Sequence, residues 1–208
     1  KKSEAEAVWQ KSYHEWDSFL ESVDRDLQTT DGQLSGVKSA DSLSPETPFT
    51  DGRSGKSVTL GDYLGQGQKL LLLQASQTVL EARSLQVLVV SFGSFEGAQL
   101  WLEQTGCTFD MLLDPQRKVY RSFGLGSSYA KVMKFGCLLQ YSEYGAVNRD
   151  FPDFPPRLLE DIYQMGGDFL LDEAGKVLLS HPCKNPLDRP TVKDFLRVVD
   201  AAGCSADL

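Results

Sequence analysis

The chain has 208 residues, of which 41% are hydrophobic, so it is long enough for one domain with a packed core and an extension. Its net charge of −8 comes from 21 basic and 29 acidic residues. Such a surface repels phosphate backbones, so we expect no nucleic-acid binding. No run approaches the roughly 20 apolar residues of a membrane span, and we expect no membrane partner.

The cysteine and histidine spacing carries no metal or disulfide signature. Cys107, Cys137, Cys183 and Cys204 are widely separated, and the two histidines, His14 and His181, lie far apart. This spacing predicts neither a zinc site nor a CxxC pair, and we expect no cofactor. Few cysteines in a chain of this length are typical of a reduced, cytoplasmic protein. The first ten residues are charged and are not expected to be a signal peptide.

Residues 1–28 are predicted to form an amphipathic helix, and residues 29–48 a linker rich in Ser, Thr, Asp, Gly and Pro. The apolar stripe of the helix recurs every three or four residues: Trp9, Tyr13, Trp16, Leu20, Val23 and Leu27. The stripe could bind a protein partner or dock on its own domain. Because two tryptophans and a tyrosine are bulky for a tight coiled coil, we favour docking on its own domain.

The core begins with a short strand at 57–60 and a helical turn at 61–64. Lys69–Leu73 and Gln86–Phe92 are continuous apolar runs, which is typical of parallel strands covered on both faces. A helix between them supplies the right-handed crossover. We therefore expect these two runs to be adjacent strands at the centre of the sheet.

The rest of the chain continues the pattern. A helix at 94–106 closes at Gly106, a strand follows at 109–114, and the next helix has Pro115 in its first turn. Residues 126–165 are predicted to be an irregular insert rich in aromatics. An antiparallel hairpin at 166–181 and a closing helix complete the order. This order predicts an α/β fold, a three-layer α/β/α sandwich with a mixed central sheet.

Three phrases carry a family resemblance: "FTDGRSGKSVTLGDYLGQGQKLLLL", "LLDPQRKVYRSFGL" and "GGDFLLDEAGKVLLSH". They resemble the entry hairpin, the Asp-Pro step and the final hairpin of the peroxiredoxin-like (AhpC/TSA type) branch of the thioredoxin superfamily. The Gly166–Gly167 entry and the aromatic insert are most similar to the selenoprotein L and peroxiredoxin-like type 2 group. The resemblance implies a thioredoxin-like domain over residues 49–203.

The resemblance also implies where the chemistry should be. Such proteins carry a redox pair, Cys or selenocysteine, after the first core strand, where a helix N-terminus lowers the pKa of the nucleophile. Here Leu73 is followed by Gln74, Ala75 and Ser76, so the redox segment is expected to be missing. A skipped exon or an in-frame stop codon that encodes selenocysteine could account for this, and we favour the second.

Several functions follow as expectations. The family implies a thiol or selenol oxidoreductase that acts on a peroxide, disulfide or quinone-like substrate with a thiol reductant. The alternatives are a redox-inactive partner-binding module and a relative of prostamide/prostaglandin F synthase. Cys137, in the insert, is the weak candidate for a substitute nucleophile; the other cysteines and His181 are expected to be structural. "GRSGKS" has two residues between its glycines where a P-loop has four, and we reject that interpretation.

Overall fold

The computed structural model describes residues 2–31, 39–65, 69–72, 85–149, 151–159 and 161–203. Within these ranges, seven strands form one mixed sheet in the order β2-β1-β5-β4-β3-β6-β7. The strands are β1 (Pro48–Asp51), β2 (Ser57–Thr59), β3 (Lys69–Leu72), β4 (Gln86–Ser91), β5 (Asp110–Leu113), β6 (Gly167–Leu171) and β7 (Val177–Pro182).

The centre of the sheet is the predicted parallel pair. β3 and β4 run parallel with Leu70 opposite Val87, and β4 runs parallel to β5. β3 is antiparallel to β6, which pairs with β7 as the predicted hairpin. The prediction of two adjacent central parallel strands is therefore confirmed. The helix predicted to follow Leu73 lies outside the described residues.

The helices are α1 (Lys2–Asp31), α2 (Phe95–Thr105), α3 (Lys118–Ser122), α4 (Tyr129–Val132), α5 (Phe135–Ala146) and α6 (Val192–Gly203). The hydroxyl of Ser94 caps the start of α2 by accepting a hydrogen bond from the backbone N–H of Gly97. Gly106 ends α2 in the left-handed conformation at φ 63°, as the sequence predicted.

Alternate residues of β4 face opposite layers. Leu88 and Val90 belong to the core under α3, whereas Val87 and Val89 belong to the cores under α6 and α2. Such alternation follows from the pleat of a strand. The sheet is thus covered on both faces, which confirms the three-layer α/β/α arrangement.

The sequence predicts an irregular insert at 126–165. That prediction is wrong, because the insert contains α4 and α5. Gly136 and Gly145 and several aromatic residues lower the helix propensity of the α5 segment, so its sequence does not look helical. The first turn of α5 packs on α1 through Phe135, and Tyr141 packs on Phe151. The correction comes from tertiary packing that local sequence does not express.

The C-terminal half of α1 binds the start of α4. One carboxylate oxygen of Asp24 accepts from the hydroxyl of Ser128 at 2.6 Å, and the other accepts from the backbone N–H of Ala130 at 3.0 Å. The first N–H groups of a helix have no partner within the helix and carry partial positive charge. A carboxylate of α1 therefore supplies a cap for α4 from outside it.

The neighbouring turns of α1 bind the end of α4 and the start of α5. The indole N–H of Trp16 donates to the carbonyl of Met133 at 3.1 Å, and the N–H of Phe135 donates to Asp17 at 3.2 Å. The ring of Tyr13 packs on Phe135 with centroids 4.7 Å apart. We call the contacts of α1 with α4 and α5 the helix seam.

The helix seam confirms that α1 docks on its own domain, but only one side of the stripe is covered. Leu20 is buried, whereas Trp9 remains 66% exposed and Phe19 57% exposed. The predicted docking therefore holds for Leu20, while Trp9 stays largely exposed. The side chain of Leu27 lies outside the described residues.

Candidate functional site

The carboxyl ends of the parallel strands β3, β4 and β5 meet at one edge of the sheet, which is where α/β proteins place their ligands. β6 begins at the same edge and β7 ends there, because both run antiparallel to their neighbours. Asp168 in β6 is opposite Leu72, the last described residue of β3. The polar residues that follow lie beside this edge.

Asp168 is buried at the head of β6, where Arg189 and Cys183 contact its carboxylate. The guanidinium of Arg189 donates to one carboxylate oxygen at 2.9 Å, and the thiol of Cys183 lies 3.8 Å from the other. Gly167 allows the close approach of β7, because a Cβ there would lie 2.8 Å from the carbonyl oxygen of His181. We call Asp168, Cys183 and Arg189 the strand-end cluster.

Burial dominates the ionisation of this cluster. It raises the pKa of Asp168 above the usual carboxyl value, although the charge and hydrogen bond of Arg189 act in the opposite direction. Burial also raises the pKa of Cys183 to about 12; Arg189 opposes the rise and the charges of Asp168 and Asp188 add to it. Catalytic cysteines need the reverse, a lowered pKa. The Cys183 thiol is therefore held protonated.

His181 and Asp188 close the loop that carries Cys183 and Arg189. The Nε2 atom of His181 lies 3.3 Å from the carbonyl oxygen of Asp188 and 3.4 Å from its carboxylate. That carboxylate also accepts from the backbone N–H of Lys184 at 2.8 Å. The histidine thus has partners within the loop, as expected of a structural residue.

A second polar group lies at the end of β5, around Arg117. Its guanidinium donates to Asp161 at 2.9 Å and to Gln164 at 3.0 Å, and its Cζ atom lies 4.4 Å from the ring centroid of Phe92. Burial acts to raise the pKa of Asp161, but the hydrogen bonds from Ser127 and Arg117 outweigh it and hold that pKa below its usual value. This carboxylate is fully ionised at neutral pH.

Arg117 adopts a left-handed backbone conformation with φ 53°, which is unusual for a residue other than glycine. Its position follows the Asp-Pro step, where the Asp114 carboxylate accepts from the N–H groups of Lys118 and Val119 at 2.9 and 2.7 Å. The sequence signalled the step but not the role of Arg117. The partners of Arg117 come from the insert, more than forty positions away in the chain.

A cleft of about 520 Å³ opens between this edge of the sheet, α2, α5 and the insert segment 151–162. A cavity of about 230 Å³ at the end of β4 shares Trp101, Phe154 and Gln164 with it. Apolar side chains dominate the cleft, and the Cys183 position lies in its wall. A concave, mostly apolar cleft with a few polar groups is the usual form of a small-molecule site.

Segment 151–159 forms the outer wall of the cleft and is fastened to α2 at two points. The guanidinium of Arg157 donates two hydrogen bonds to the carboxylate of Glu96, at 2.8 and 2.6 Å. The side-chain amide of Gln104 donates to the carbonyl of Asp153 at 2.8 Å and accepts from its N–H at 2.7 Å. The wall is therefore held by surface contacts.

Cys137, the candidate substitute nucleophile, lies in the first turn of α5 and is buried in the helix seam. Its thiol points towards the carbonyl of Lys131 at 3.7 Å. Burial raises its pKa; the charge of Lys134 opposes the rise, and that of Asp17 adds to it. Although a helix N-terminus favours a thiolate, burial outweighs that effect here.

The remaining predicted positions do not assemble a site. Cys107 is buried in the core under α2, and His14 is exposed on α1. The junction of Leu73, Gln74 and Ala75 lies outside the described residues, as does Cys204. Across the described ranges, no group of three His, Cys, Asp or Glu residues is placed to hold a metal ion. In the same ranges, no helix is long and apolar enough to cross a membrane.

Comparison with known proteins defines the class first. The structure is similar to that of a mutant of PrxQ from Xylella fastidiosa, at 13% identity and TM-score 0.51, over 81% of this chain and 99% of that chain. Peroxidoxin BcpB from Mycobacterium tuberculosis matches at 15% identity and TM-score 0.50, over 79% of this chain and 97% of that chain. At these identities the likeness concerns the fold, a thioredoxin-like peroxiredoxin fold.

The family follows from sequence. Residues 72–185 match the AhpC/TSA antioxidant enzyme family. The matched region is more than half of the chain, so this protein belongs to the AhpC/TSA family. The search among curated proteins finds no match.

Proposed function

We propose that this chain is a redox-silent form within the selenoprotein L and peroxiredoxin-like type 2 group, a group of thiol or selenol oxidoreductases. The observation that carries the proposal is the state of the thiols. Cys107, Cys137 and Cys183 are all buried, and burial raises the pKa of both Cys137 and Cys183. At the position where the family carries its redox pair, the sequence reads Gln74, Ala75 and Ser76.

The raised pKa values matter because the thiolate, not the thiol, attacks a peroxide or a disulfide. With its pKa raised to about 12, the Cys183 thiol stays protonated at neutral pH. Ser76 would need an assisting base to substitute, because an unassisted hydroxyl is a poor nucleophile at neutral pH. In its described part, the chain therefore combines the fold of the family with thiols that are not activated.

A form that carries the redox segment would place it at the strand-end edge. The register of Leu72 with Asp168 sets the end of β3 beside the strand-end cluster, and the apolar cleft opens nearby. Two thiols there would reduce a hydroperoxide to an alcohol and water while they form one disulfide, and a thiol reductant would restore them. A disulfide or a quinone-like substrate would accept the same two electrons.

Peroxide consumption with a dithiol reductant tests the proposal. The comparison is between the parent chain and its variant with all four cysteines replaced by serine. We expect equal rates. A third protein, with a two-cysteine segment inserted between Leu73 and Ala75, should consume peroxide well above both. Parent turnover well above the four-serine variant would contradict redox silence, and Cys183→Ser and Cys137→Ser singly would identify the working thiol.

The exposed part of α1 favours a second function, binding of a protein partner by a redox-inactive module. Trp9 and Phe19 are large apolar side chains left more than half exposed beside the helix seam. The prostamide/prostaglandin F synthase alternative has no such support, since it would require the same absent cysteines. Peroxide turnover by the parent chain would therefore favour the oxidoreductase function over both alternatives.

The thiols also favour a reducing compartment. The three cysteines among the described residues are free. Proteins that mature in oxidising compartments usually pair such residues, so we infer a cytoplasmic location. Localisation of the tagged full-length protein, by microscopy with compartment markers, would test this inference.

A further inference from the structure

The exposed apolar residues of α1 form a continuous stripe rather than isolated contacts. Val8, Trp9 and Phe19 are 65%, 66% and 57% exposed, and Trp16 is 38% exposed. At about 100° of rotation per residue, these four fall within a sector of about 100°, with Ser12 near its middle. Such a stripe is unusual on a surface that water contacts.

This exposed stripe of Val8, Trp9, Trp16 and Phe19 differs from the stripe predicted from the sequence, part of which forms the helix seam. Tyr13, Asp17, Leu20 and Asp24 fall in the adjoining sector of the helix and face α4 and α5. Trp9 and Trp16 lie on the border. The Trp9 ring centroid is 6.5 Å from that of Phe135 and the Trp16 N–H is bonded to the insert, while part of each ring stays exposed. The stripe therefore stays available after α1 has docked on its own domain.

The charges beside the stripe specify what can cover it. Lys11 and Glu15 flank its outer side, away from the seam, and form an exposed pair at 3.7 Å within the helix. In a parallel helix pair, the flank that carries Lys11 and Glu15 would face the opposite flank of the other copy, so these charges would not meet. In an antiparallel pair centred near residue 13, Lys11 opposes Glu15 in both directions, which is a self-complementary arrangement.

We propose that α1 binds a second copy of this chain in an antiparallel, two-fold symmetric pair centred near Tyr13. The apolar ends of the stripe then match, because Val8 and Trp9 of one copy lie over Trp16 and Phe19 of the other. The hydrogen bonds that join α1 to the insert through Trp16, Asp17 and Asp24 all lie C-terminal to that centre. Antiparallel pairing therefore carries the two domains towards opposite ends of the helix pair.

The size of the stripe predicts a reversible dimer. At about 100–150 Å² for each exposed aromatic side chain, two stripes bury on the order of 1,000 Å², the lower end for a specific interface. The pairing uses α1 alone and does not depend on the redox state of the thiols. It also leaves the cleft at the strand-end edge uncovered.

Sedimentation velocity of the full chain over a range of concentrations tests the proposal. The parent should pass from monomer to dimer as its concentration rises. Trp9→Ala with Phe19→Ala should weaken the dimer at least tenfold. Lys11→Glu and Glu15→Lys should each weaken it, because like charges then face each other. Glu21→Lys, an equal charge change on the opposite side of α1, is the matched control and should dimerise as the parent does.

Mixing the two charge variants gives the decisive comparison. Lys11→Glu and Glu15→Lys together should regain association, because their charges are complementary across the antiparallel pair. Lys11→Glu mixed with Glu21→Lys should not regain it. Restoration between chains cannot arise from a change in helix stability within one chain. A parent that stays monomeric at all concentrations, or a dimer that the stripe variants leave unchanged, would overturn the proposal, as would the absence of rescue in the first mixture.

Discussion

The strand-end cluster and the helix seam each bring a carboxylate close to a buried thiol, but the partners of the two carboxylates differ. In the seam, Asp17 accepts from a backbone N–H at the start of α5, and Cys137 lies in the same turn. In the cluster, Asp168 accepts a hydrogen bond from the guanidinium of Arg189 and lies 3.8 Å from the thiol of Cys183. Burial still raises the pKa of the Asp168 carboxyl group.

The difference separates a structural site from a candidate for function. A carboxylate at a helix N-terminus satisfies N–H groups that would otherwise lack partners, so the seam stabilises α1, α4 and α5 together. The cluster instead keeps a charge where burial disfavours it, beside the end of β3 and the cleft. Groups with perturbed pKa values gather at functional sites more often than elsewhere. The seam has such a group in Cys137, but the cluster combines two of them, Asp168 and Cys183, with a neighbouring cleft.

The largest expected effect comes from Arg189→Met. The change removes the cation from a buried carboxylate and should lower the free energy of unfolding by about 3 kcal/mol, because an uncompensated buried charge remains. In a chain of this size, that corresponds to a fall in Tm of roughly 6–12 °C. Thermal unfolding followed by circular dichroism measures it. An unchanged Tm would mean that Asp168 is not held by Arg189.

The pH dependence of this loss identifies its cause. The pKa of Asp168 is raised in the folded protein, so the stability that its neutral form contributes is present below pH 3.8 and is lost as the pH rises through the folded pKa. Without Arg189 the folded pKa rises further. The loss of unfolding free energy caused by Arg189→Met should therefore be smaller at about pH 4 than at about pH 7. The double variant with Asp168→Asn should show no such difference.

The next effect in size is that of Asp24→Ala in the helix seam. It removes two hydrogen bonds from the start of α4 and should lower the free energy of unfolding by about 1–2 kcal/mol, as loss of a helix cap does. It should also speed alkylation of Cys137 and leave that of Cys183 unchanged. Glu21→Ala, on the exposed side of α1, is the control. Equal acceleration at both thiols would mean that the two regions do not open independently.

The sequence predicted those parts of the fold that local pattern encodes. The apolar runs at 69–72 and 86–91 identified the central strands, and Gly106 identified the end of α2. Helix α5 could not be predicted, since its glycines and aromatic residues lower its helix propensity and its contacts with Tyr13 and Phe151 are not visible in local sequence. The exposure of Trp9 was also missed, because periodicity shows that a stripe exists and not how much of it is covered.

The candidate site was less accessible to sequence reasoning. Asp168 and Arg189 are 21 positions apart and come together only because β7 returns beside β6 and a loop then folds back. The partners of Arg117 lie in the insert, on the far side of α4 and α5. What sequence could supply was the family and the place where its nucleophile belongs. The contacts around that place depend on the tertiary fold.

The smallest expected effect is that of Arg157→Gln, which sharpens the contrast because it removes the same kind of pair as Arg189→Met. The side chains of Arg157 and Glu96 are 66% and 57% exposed, against 18% and 4% for Arg189 and Asp168. Water solvates the separated charges at the surface, so we expect no measurable shift in Tm at physiological salt. Amide hydrogen exchange in residues 151–159 should nevertheless become faster. Of the described contacts between this segment and α2, the hydrogen bonds of Gln104 with Asp153 then remain. Gln104→Ala should quicken the same amides, and amides of β4 should be unaffected by either change. A fall in Tm as large as that of Arg189→Met would show that burial is not what distinguishes the two pairs.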